Sequence, residues 1–387
     1  MSHRPTRRKF LQATAAAGAI TVRAATLPET NIYTRLGVRP VINGVGTVTV
    51  LGGSIMPPEV VRAMDEASKH FVNLPDLQKK VGARIADLVG VPAAMVTAGA
   101  ASAITVAAAA CVARTPDKVR HLPDTSGMPN EILQQKSHRS GYEAQMLLVG
   151  AKIIWVETRE ELEAAISDRT AMMFFLNKAD PDGKIQRGEW IRIGRARGIP
   201  TFNDAAADVP PASRLGAYVQ EGFDLVAISG GKGLLGPQCS GLLVGRKDLI
   251  ETGQQAINPH GGIGRGMKVG KEEMLGLLAA VERYLKVDHA AEQRLLESRA
   301  AHVLETLAKV RGVKAERHVP PIANQVPHVQ LEWTGSRPAS EVVKLLLEGD
   351  PSIAVSQRGE RGLTISMWML RGDEHKIVAR RLKEVLG

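Results

Sequence analysis

The chain has 387 residues, 44% hydrophobic and 23% charged, a composition that excludes disordered, collagen-like and coiled-coil proteins and suits one large domain plus a smaller one. Its two cysteines, Cys111 and Cys239, are too few for a disulfide framework and lack the spacing of a zinc motif, so no metal site is expected. The net charge is +10, but the first 25 residues hold five basic residues and no acid, which leaves 45 basic against 40 acidic residues elsewhere. With 4% aromatic residues, no nucleic-acid partner is expected.

The first predicted element is an export signal over residues 1–28. Paired Arg7 and Arg8 precede a short, weakly apolar stretch at residues 12–22, and small residues follow it. This order is typical of a twin-arginine signal, and the stretch is too short and too weakly apolar to anchor the chain in a bilayer. The sequence therefore predicts export of the folded protein by the twin-arginine (Tat) machinery to the periplasm or the exterior. The alternative is a basic amphipathic or disordered leader.

A large domain is predicted over residues 29–255, where helical patterns alternate with short apolar runs. Such runs are typical of parallel strands buried on both faces. In residues 77–89 the apolar side chains recur every three or four positions, as on one stripe of a helix. The pattern predicts an α/β fold with a mostly parallel sheet. Its predicted strands are Ala94–Thr97, Ile153–Val156, Met172–Leu176, Pro200–Asn203 and Asp224–Ser229.

A smaller domain is predicted over residues 256–387. Helices beside a small antiparallel sheet are typical of an α+β arrangement. The predicted elements are a helical stretch Lys271–Val310, a strand His328–Trp333, a helix Ser340–Glu348, strands Ile353–Gln357 and Leu363–Met369, and a closing helix Glu374–Leu386.

The most informative stretch is residues 223–245, where an apolar strand leads into a glycine-rich turn and a second strand follows. The turn carries Lys232 three residues after Ser229, at a strand end with room for a ligand. An amine in such a pocket can lose its proton through desolvation and form a Schiff base. The alternative is a solvated turn lysine.

Another apolar run ends in Asp204, 28 residues before Lys232. In pyridoxal-phosphate chemistry a carboxylate facing the ring nitrogen keeps it protonated, so that the ring accepts electrons from the substrate. Asp204 is predicted to take this position. The alternative is an aspartate that caps the following helix.

The stretch Thr97–Ser102 runs from a strand through small residues into an Ala-rich helix. Small residues let a phosphate approach backbone N–H groups, and the positive end of the helix dipole favours an anion. Close helix packing explains the small residues equally well.

These three elements, in the order phosphate turn, acid and lysine, resemble the fold-type I pyridoxal-phosphate enzymes. Within that superfamily, residues 229–241 resemble the lysine loop of the bacterial selenocysteine synthase family and its shorter relatives, which include D-glucosaminate-6-phosphate ammonia-lyase. Further similar stretches are residues 41–47, 51–59 and 264–272. The resemblance covers nearly everything after residue 30. It implies a seven-stranded, mostly parallel sheet, a small α+β C-terminal domain and pyridoxal 5'-phosphate as the cofactor.

The resemblance also implies roles for individual catalytic residues. Lys232 forms the Schiff base and shuttles the proton, and Asp204 partners the pyridine nitrogen. His138 falls where such enzymes place a residue over the ring or a substrate-gripping group; the alternative is a buried structural histidine.

Four residues are expected to bind the cofactor beside Asp204 and Lys232, namely Gly99, Ala100, Ser102 and Ser229. Four arginines are candidates for the substrate. Arg139 follows His138, and Arg265 lies on a loop that is expected to reach a cofactor or substrate phosphate, including one across a dimer interface. The alternative is a solvated basic loop. Arg358 and Arg371 are alternative clamps for a carboxylate, since the arginine fork fits it with two hydrogen bonds.

The expected function is a homodimeric or larger enzyme acting on a small amino acid or amino-sugar acid. The leading hypothesis is a lyase that abstracts the α-proton and eliminates the β-substituent, giving a 2-oxo acid and ammonia. The alternatives are a racemase with His138 or Tyr142 as second acid/base, a selenium-transferase-like enzyme and a non-catalytic pyridoxal-phosphate-binding protein. Selenocysteine synthases carry an extra N-terminal domain for their tRNA, whereas the resemblance here begins just after the export signal, so tRNA chemistry is disfavoured.

Overall fold

The computed structural model describes residues 31–387, and the predicted export signal lies outside the described residues. The chain divides after Val41 into a first unit, described from residue 31, and a compact second unit, residues 42–387. The described part of the first unit contains the short helix α1 (Ile32–Arg35), which begins after Asn31, whose side chain accepts a hydrogen bond from the N–H of Thr34 at 3.0 Å.

Thirteen strands lie within residues 31–387. In chain order they are β1 Ile42–Asn43, β2 Ala93–Thr97, β3 Glu131–Gln135, β4 Lys152–Val156, β5 Thr170–Leu176, β6 Thr201–Asp204, β7 Leu225–Ser229, β8 Gly241–Gly245, β9 Val313–His318, β10 His328–Trp333, β11 Ile353–Ala354, β12 Ser356–Gln357 and β13 Gly362–Ser366.

The α-helices of the same described range follow α1 in chain order. They are α2 Pro58–Ser68, α3 Leu74–Val89, α4 Gly99–Ala113, α5 Glu143–Leu147, α6 Arg159–Ala165, α7 Arg187–Arg197, α8 Arg214–Glu221, α9 Lys247–Gln254, α10 Lys271–Tyr284, α11 His289–Leu307, α12 Ala339–Glu348 and α13 Glu374–Leu386. Among them, none combines the length and the apolar run needed to cross a bilayer.

The large sheet has seven strands in the order β2-β8-β7-β6-β5-β3-β4. β8 is antiparallel to both of its neighbours, β2 and β7, and the other adjacent pairs are parallel. This confirms the predicted mostly parallel sheet. The carboxyl ends of β2, β5, β6 and β7 therefore meet at one edge, which is where ligands bind in open α/β sheets.

Both faces of this sheet are buried, which explains the continuous apolar runs in the sequence. Along β5, Met173 and Phe175 pack into a core with α3, α7, α8 and α10, whereas Met172 and Phe174 pack on the other face against α4 and α9. Every residue from 102 to 113 of α4 is buried, and the small alanine side chains let this helix approach the sheet closely.

A second, antiparallel sheet has the order β12-β13-β10-β9, and α11, α12 and α13 share an apolar core with it. The predicted helical stretch Lys271–Val310 is two helices, α10 and α11. The helix α10 packs on α2 and α3 in the core of the large sheet. It therefore contributes to that core although it follows the predicted domain boundary at residues 255/256. β1, near the start of the second unit, pairs in parallel with β11.

Candidate active site

A cavity of about 720 Å³ lies at the carboxyl ends of the parallel strands. The last residues of β5, β6 and β7, which are Leu176, Asp204 and Ser229, line it, as do the residues that follow β2. Six of the predicted site residues therefore share this cavity: Gly99, Ala100, Arg139, Asp204, Ser229 and Lys232.

Lys232 reaches the cavity from a turn that only glycines allow. A Cβ on Gly231 would lie 2.6 Å from the Cα of Gln238, and a Cβ on Gly233 would lie 2.0 Å from the carbonyl oxygen of Val209. Burial lowers the pKa of the Lys232 amine, an effect opposed by the negative charge of Asp204. The structure thus holds a desolvated amine, as Schiff-base chemistry requires.

Asp204 is the buried last residue of β6, and its Oδ1 accepts a hydrogen bond from the N–H of Ala206 at 3.1 Å. Burial raises the pKa of Asp204 to about 6, while that hydrogen bond and the charge of Lys232 act in the opposite direction. A cation placed against this carboxylate would restore its ionised form. The protonated ring nitrogen of pyridoxal phosphate is such a cation.

The turn before α4 is suited to an anion. Ala98, the residue before the helix, offers no side-chain cap, and the first turn contains no acidic residue. Gly99 has φ +85°, and a Cβ built there would meet nothing within 4 Å, so the space beside it is open. Free N–H groups at a helix N-terminus that faces a cavity fit a phosphate.

Taken together, the desolvated lysine, the buried acid and the uncapped helix N-terminus fit pyridoxal phosphate. Ser229 adds a hydroxyl at the end of β7. Ser102 does not line the cavity: it is buried one turn into α4, and its Oγ has no hydrogen-bond partner among the described residues. In residues 31–387 no group of three or more His, Cys, Asp or Glu side chains is arranged to hold a metal ion.

His138 lies outside the cavity lining and is fully buried. Its Nδ1 accepts a hydrogen bond from the N–H of Leu176 at 3.1 Å, its Nε2 lies 3.2 Å from the side-chain nitrogen of Gln135, and its ring packs edge-on against Phe175. Burial lowers the pKa of His138 to about 4, so the ring is neutral. The structure therefore gives His138 the buried structural placement that was the alternative to a catalytic one.

Of the four predicted arginines, Arg139 lines the cavity, and its guanidinium lies 4.2 Å from the centre of the Trp155 ring. Arg265 is exposed and lies outside the lining. Arg358 pairs with Glu332, and Arg371 pairs with Glu374 at 3.4 Å, both away from the cavity. Neither C-terminal arginine is thus placed to clamp a carboxylate within this chain's cavity.

The segment after β1 supplies site residues that the sequence reasoning did not single out, Thr47 and Thr49. Asn43 shapes this segment, because its Oδ1 accepts hydrogen bonds from the N–H groups of Val45 and Gly46 at 3.0 Å. Gln238 then donates its side-chain N–H to the carbonyl of Thr49 at 3.0 Å and so joins the segment to the lysine loop. The similarity of residues 41–47 and 51–59 to the family was the available signal.

Three charged residues of the cavity also went unnoticed, Lys178, Asp182 and Asp208. Asp208 is buried, and its Oδ2 accepts hydrogen bonds from the hydroxyl of Tyr218 at 2.7 Å and from the side chain of Asn177. Burial raises the pKa of Asp208. Nothing in the local pattern marked these residues, because their strand and loop ends converge only in the folded sheet.

Comparisons with known proteins agree with this geometry. The family model described as SelA, L-seryl-tRNA selenium transferase, matches residues 165–342. The chain is 34% identical to a 5'-C-glycyluridine monooxygenase-decarboxylase of Streptomyces over 92% of both chains. It is 32% identical to D-glucosaminate-6-phosphate ammonia lyase of Salmonella typhimurium, over 74% of this chain and 78% of that one.

A solved structure of D-glucosaminate-6-phosphate ammonia-lyase superposes with a TM-score of 0.79 at 28% identity, covering 92% of this chain and 98% of that one. A Sphingomonas wittichii serine palmitoyltransferase, with a TM-score of 0.58 at 12% identity, shares the fold alone. The sequence prediction of the fold and of pyridoxal 5'-phosphate as the cofactor is confirmed. The chain belongs to the selenocysteine synthase-like family of fold-type I pyridoxal-phosphate enzymes.

Proposed function

We propose that this enzyme is a carbon–nitrogen lyase that converts a small amino acid or amino-sugar acid into a 2-oxo acid and ammonia. The observation that carries the proposal is the desolvated amine of Lys232 in one cavity with the buried carboxylate of Asp204. The similarity to D-glucosaminate-6-phosphate ammonia lyase, at 32% identity, supports this reaction class.

Different residues of the chain bind the different parts of the cofactor and the substrate. The N-terminus of α4 and Ser229 hold the cofactor phosphate, Asp204 faces the ring nitrogen, and Lys232 makes the covalent link. When bound, pyridoxal phosphate supplies an electron sink for the pair of electrons left on the substrate's α-carbon. Arg139 and Lys178, the cationic side chains that line the cavity beside Lys232, bind the substrate carboxylate.

The substrate's amine replaces Lys232 in the link to the cofactor, and the Lys232 amine released in this way then moves the proton. Because burial favours its uncharged form, the amine accepts the α-proton of the substrate and gives it to the departing β-hydroxyl, so that one water leaves. Water then hydrolyses the resulting imine to the 2-oxo acid and ammonia. Over the whole sequence one water is lost and one is taken up, and no oxidant is consumed.

Spectroscopy of the purified protein tests the proposal. Its visible absorption is recorded before and after borohydride reduction, the modified peptide is mapped, and ammonia and 2-oxo acid are assayed with D- and L-amino acids and amino-sugar acids. We expect peptide mapping to find the reduced cofactor attached to Lys232. Ammonia and 2-oxo acid should be formed in equal amounts. Loss of optical activity without ammonia would establish a racemase instead.

A second candidate reaction is favoured by the relative at 34% identity, a monooxygenase-decarboxylase that aligns over 92% of both chains. In such a reaction one O₂ converts an α-amino acid into the shortened amide, CO₂ and water. Oxygen uptake measured beside ammonia release separates the two reactions, because the lyase works equally well without oxygen.

We further propose that residues 1–28 direct twin-arginine export and that the enzyme is a homo-oligomer. The paired Arg7 and Arg8 support the first proposal, and the exposure of the apolar Val50, Ile55 and Phe71 supports the second. Replacing both arginines by lysine should retain the protein in the cytoplasm of a Tat-competent host, whereas unchanged export would refute the signal. Light scattering of the purified enzyme tests the oligomer, and a monomer at micromolar concentration would refute it.

A further inference from the structure

A smaller cavity of about 210 Å³ adjoins the main one, and Lys232 lines both. Thr47, Tyr142 and Asn324 are also common to the two linings. Since small-molecule sites usually exceed about 300 Å³, this space suits a substituent of a ligand rather than a second ligand. A substrate whose amine has replaced Lys232 in the link to the cofactor lies beside Lys232, with this cavity within reach of its side chain.

His328 opens β10 and presents an acceptor to this cavity. The residue is 8% exposed, and its Nδ1 lies 2.8 Å from the carbonyl oxygen of Val326, so Nδ1 carries the hydrogen and donates it. Burial lowers the pKa of His328, which keeps the ring neutral. Its Nε2 has no hydrogen-bond partner within residues 31–387 and is left as a fixed acceptor.

Ser366 lies directly opposite His328 in the antiparallel register of β10 and β13, so both side chains lie on one face of the sheet. The Oγ of Ser366 accepts a hydrogen bond from the N–H of Trp368 at 3.3 Å. The hydroxyl hydrogen remains free to be donated. The pair therefore offers one donor and one acceptor side by side, which matches a hydroxyl group.

Asn324 lies where the two cavities join, in a backbone conformation with φ +46°. Its N–H donates to the carbonyl oxygen of Ala207 at 2.8 Å, which ties this loop to the main cavity. Its side-chain Oδ1 is buried with no hydrogen-bond partner in the described part of the chain. Asparagine tolerates left-handed backbone better than most residues, so the informative feature is the buried acceptor without a partner, which is unfavourable and recurs at ligand sites.

The charge of this cavity excludes a phosphate. Among the residues that line it within 31–387, Lys232 is the only charged side chain. The proposed function already uses Lys232 for the cofactor link and for proton transfer. Phosphate recognition relies on arginine, lysine or helix N-termini. Resting on the proposed lyase function, we propose that the small cavity binds an uncharged, hydroxyl-bearing side chain of the substrate, held by His328, Ser366 and Asn324, so that the substrate is not a phosphate ester.

Spectral titration of the holoenzyme tests this inference with four compounds: D-glucosaminate, its 6-phosphate, and the two enantiomers of serine, whose side chain ends at the β-hydroxyl. We expect D-glucosaminate to bind at least tenfold more tightly than the 6-phosphate. His328→Leu and Ser366→Ala should each raise the Kd of D-glucosaminate about tenfold and leave that of serine unchanged. The control is Gln330→Leu, on the same strand but lining neither cavity.

Circular dichroism and cofactor content establish whether each variant is folded. If His328→Leu does not fold, the Kd values of Ser366→Ala provide the test. Tighter binding of the 6-phosphate, binding of serine alone, or equal weakening of both probes in the variants would overturn the inference. An enzyme that releases no ammonia from any amine would refute the lyase instead, while the Kd values would still report on the cavity.

Discussion

Gly241, the first residue of β8, lies against Gly99, the first residue of α4: a Cβ on Gly241 would be 2.5 Å from the carbonyl carbon of Gly99 and 2.7 Å from the N atom of Ala100. Gly241 also pairs with Ser229 across β7 and β8 and with Thr97 across β2 and β8. Strand β8, which follows the lysine loop, therefore packs against the turn that precedes α4 and is suited to the cofactor phosphate. Gly241 thus contacts both parts of the cofactor site, the loop that carries Lys232 and the N-terminus of α4.

Gly241→Ala should weaken cofactor binding by about tenfold or more, because the added methyl group displaces the backbone of Gly99 and overpacking of this kind costs about 1–3 kcal/mol. The Kd for pyridoxal phosphate, measured by absorbance on apoprotein, checks this. Gly188→Ala is the matched control, since a Cβ there meets nothing within 4 Å. Equal cofactor affinity in the Gly241 variant and wild type would show that the turn does not depend on this contact.

Lys232→Ala should abolish the covalent cofactor link and lower kcat by about 10²–10⁴-fold, the contribution of a positioned proton-transfer group. Mass spectrometry after borohydride reduction measures the link, and ammonia release measures kcat. Lys178→Ala, which removes another amine from the same cavity, should keep the link. Borohydride labelling that persists in the Lys232 variant would contradict the assignment.

Asp204→Asn should lower kcat about 10²-fold or more, because the carboxylate that faces the developing charge is lost. The apoprotein gives a second readout. Since burial raises the pKa of Asp204 from 3.8 to about 6, its contribution to stability is present below pH 4 and is lost as the pH rises through 6. Compared with the Asn variant, wild-type apoprotein should lose about 2–3 kcal/mol across that interval in urea unfolding. Parallel pH curves would argue that Asp204 titrates normally.

The sequence predicted those parts of the site that lie at strand ends within short motifs. Asp204 ends an apolar run, Gly99 and Lys232 follow one within three residues, and parallel strands bring such positions to one edge. Thr47 and Asn324 were not found, because they reach the cavity through the pairing of β1 with β11 and through a loop contact with Ala207. Contacts between residues so far apart in the sequence produce no periodic pattern in the local sequence around either residue.

Strand β3 was not predicted for a different reason. It ends in Gln134 and Gln135, two polar residues that interrupt the apolar run and favour a loop in the sequence, yet both are fully buried. The side chain of Gln135 exchanges two hydrogen bonds with the backbone of Ile185, at 2.8 and 2.9 Å, and Gln134 donates to the carbonyl of His138. Buried amides that replace backbone partners break the hydrophobic pattern without breaking the strand.

The placement of His138 yields the last prediction. His138→Asn keeps a hydrogen-bond acceptor near the N–H of Leu176 but removes the ring that packs on Phe175. We expect stability at pH 8 to fall by about 1–3 kcal/mol and kcat to change less than about threefold, since the ring lies outside the cavity. Urea unfolding and ammonia release measure the two effects.

The pH dependence of this variant separates structure from catalysis. Burial lowers the pKa of His138 from 6.5 to about 4, so the wild-type protein gains stability from the neutral ring above pH 6.5 and loses it as the pH falls through 4. This loss, about 3 kcal/mol, should vanish in the Asn variant. A hundredfold fall in kcat with unchanged stability and full cofactor content would instead return His138 to the catalytic machinery, because a purely structural ring cannot alter the chemical step alone.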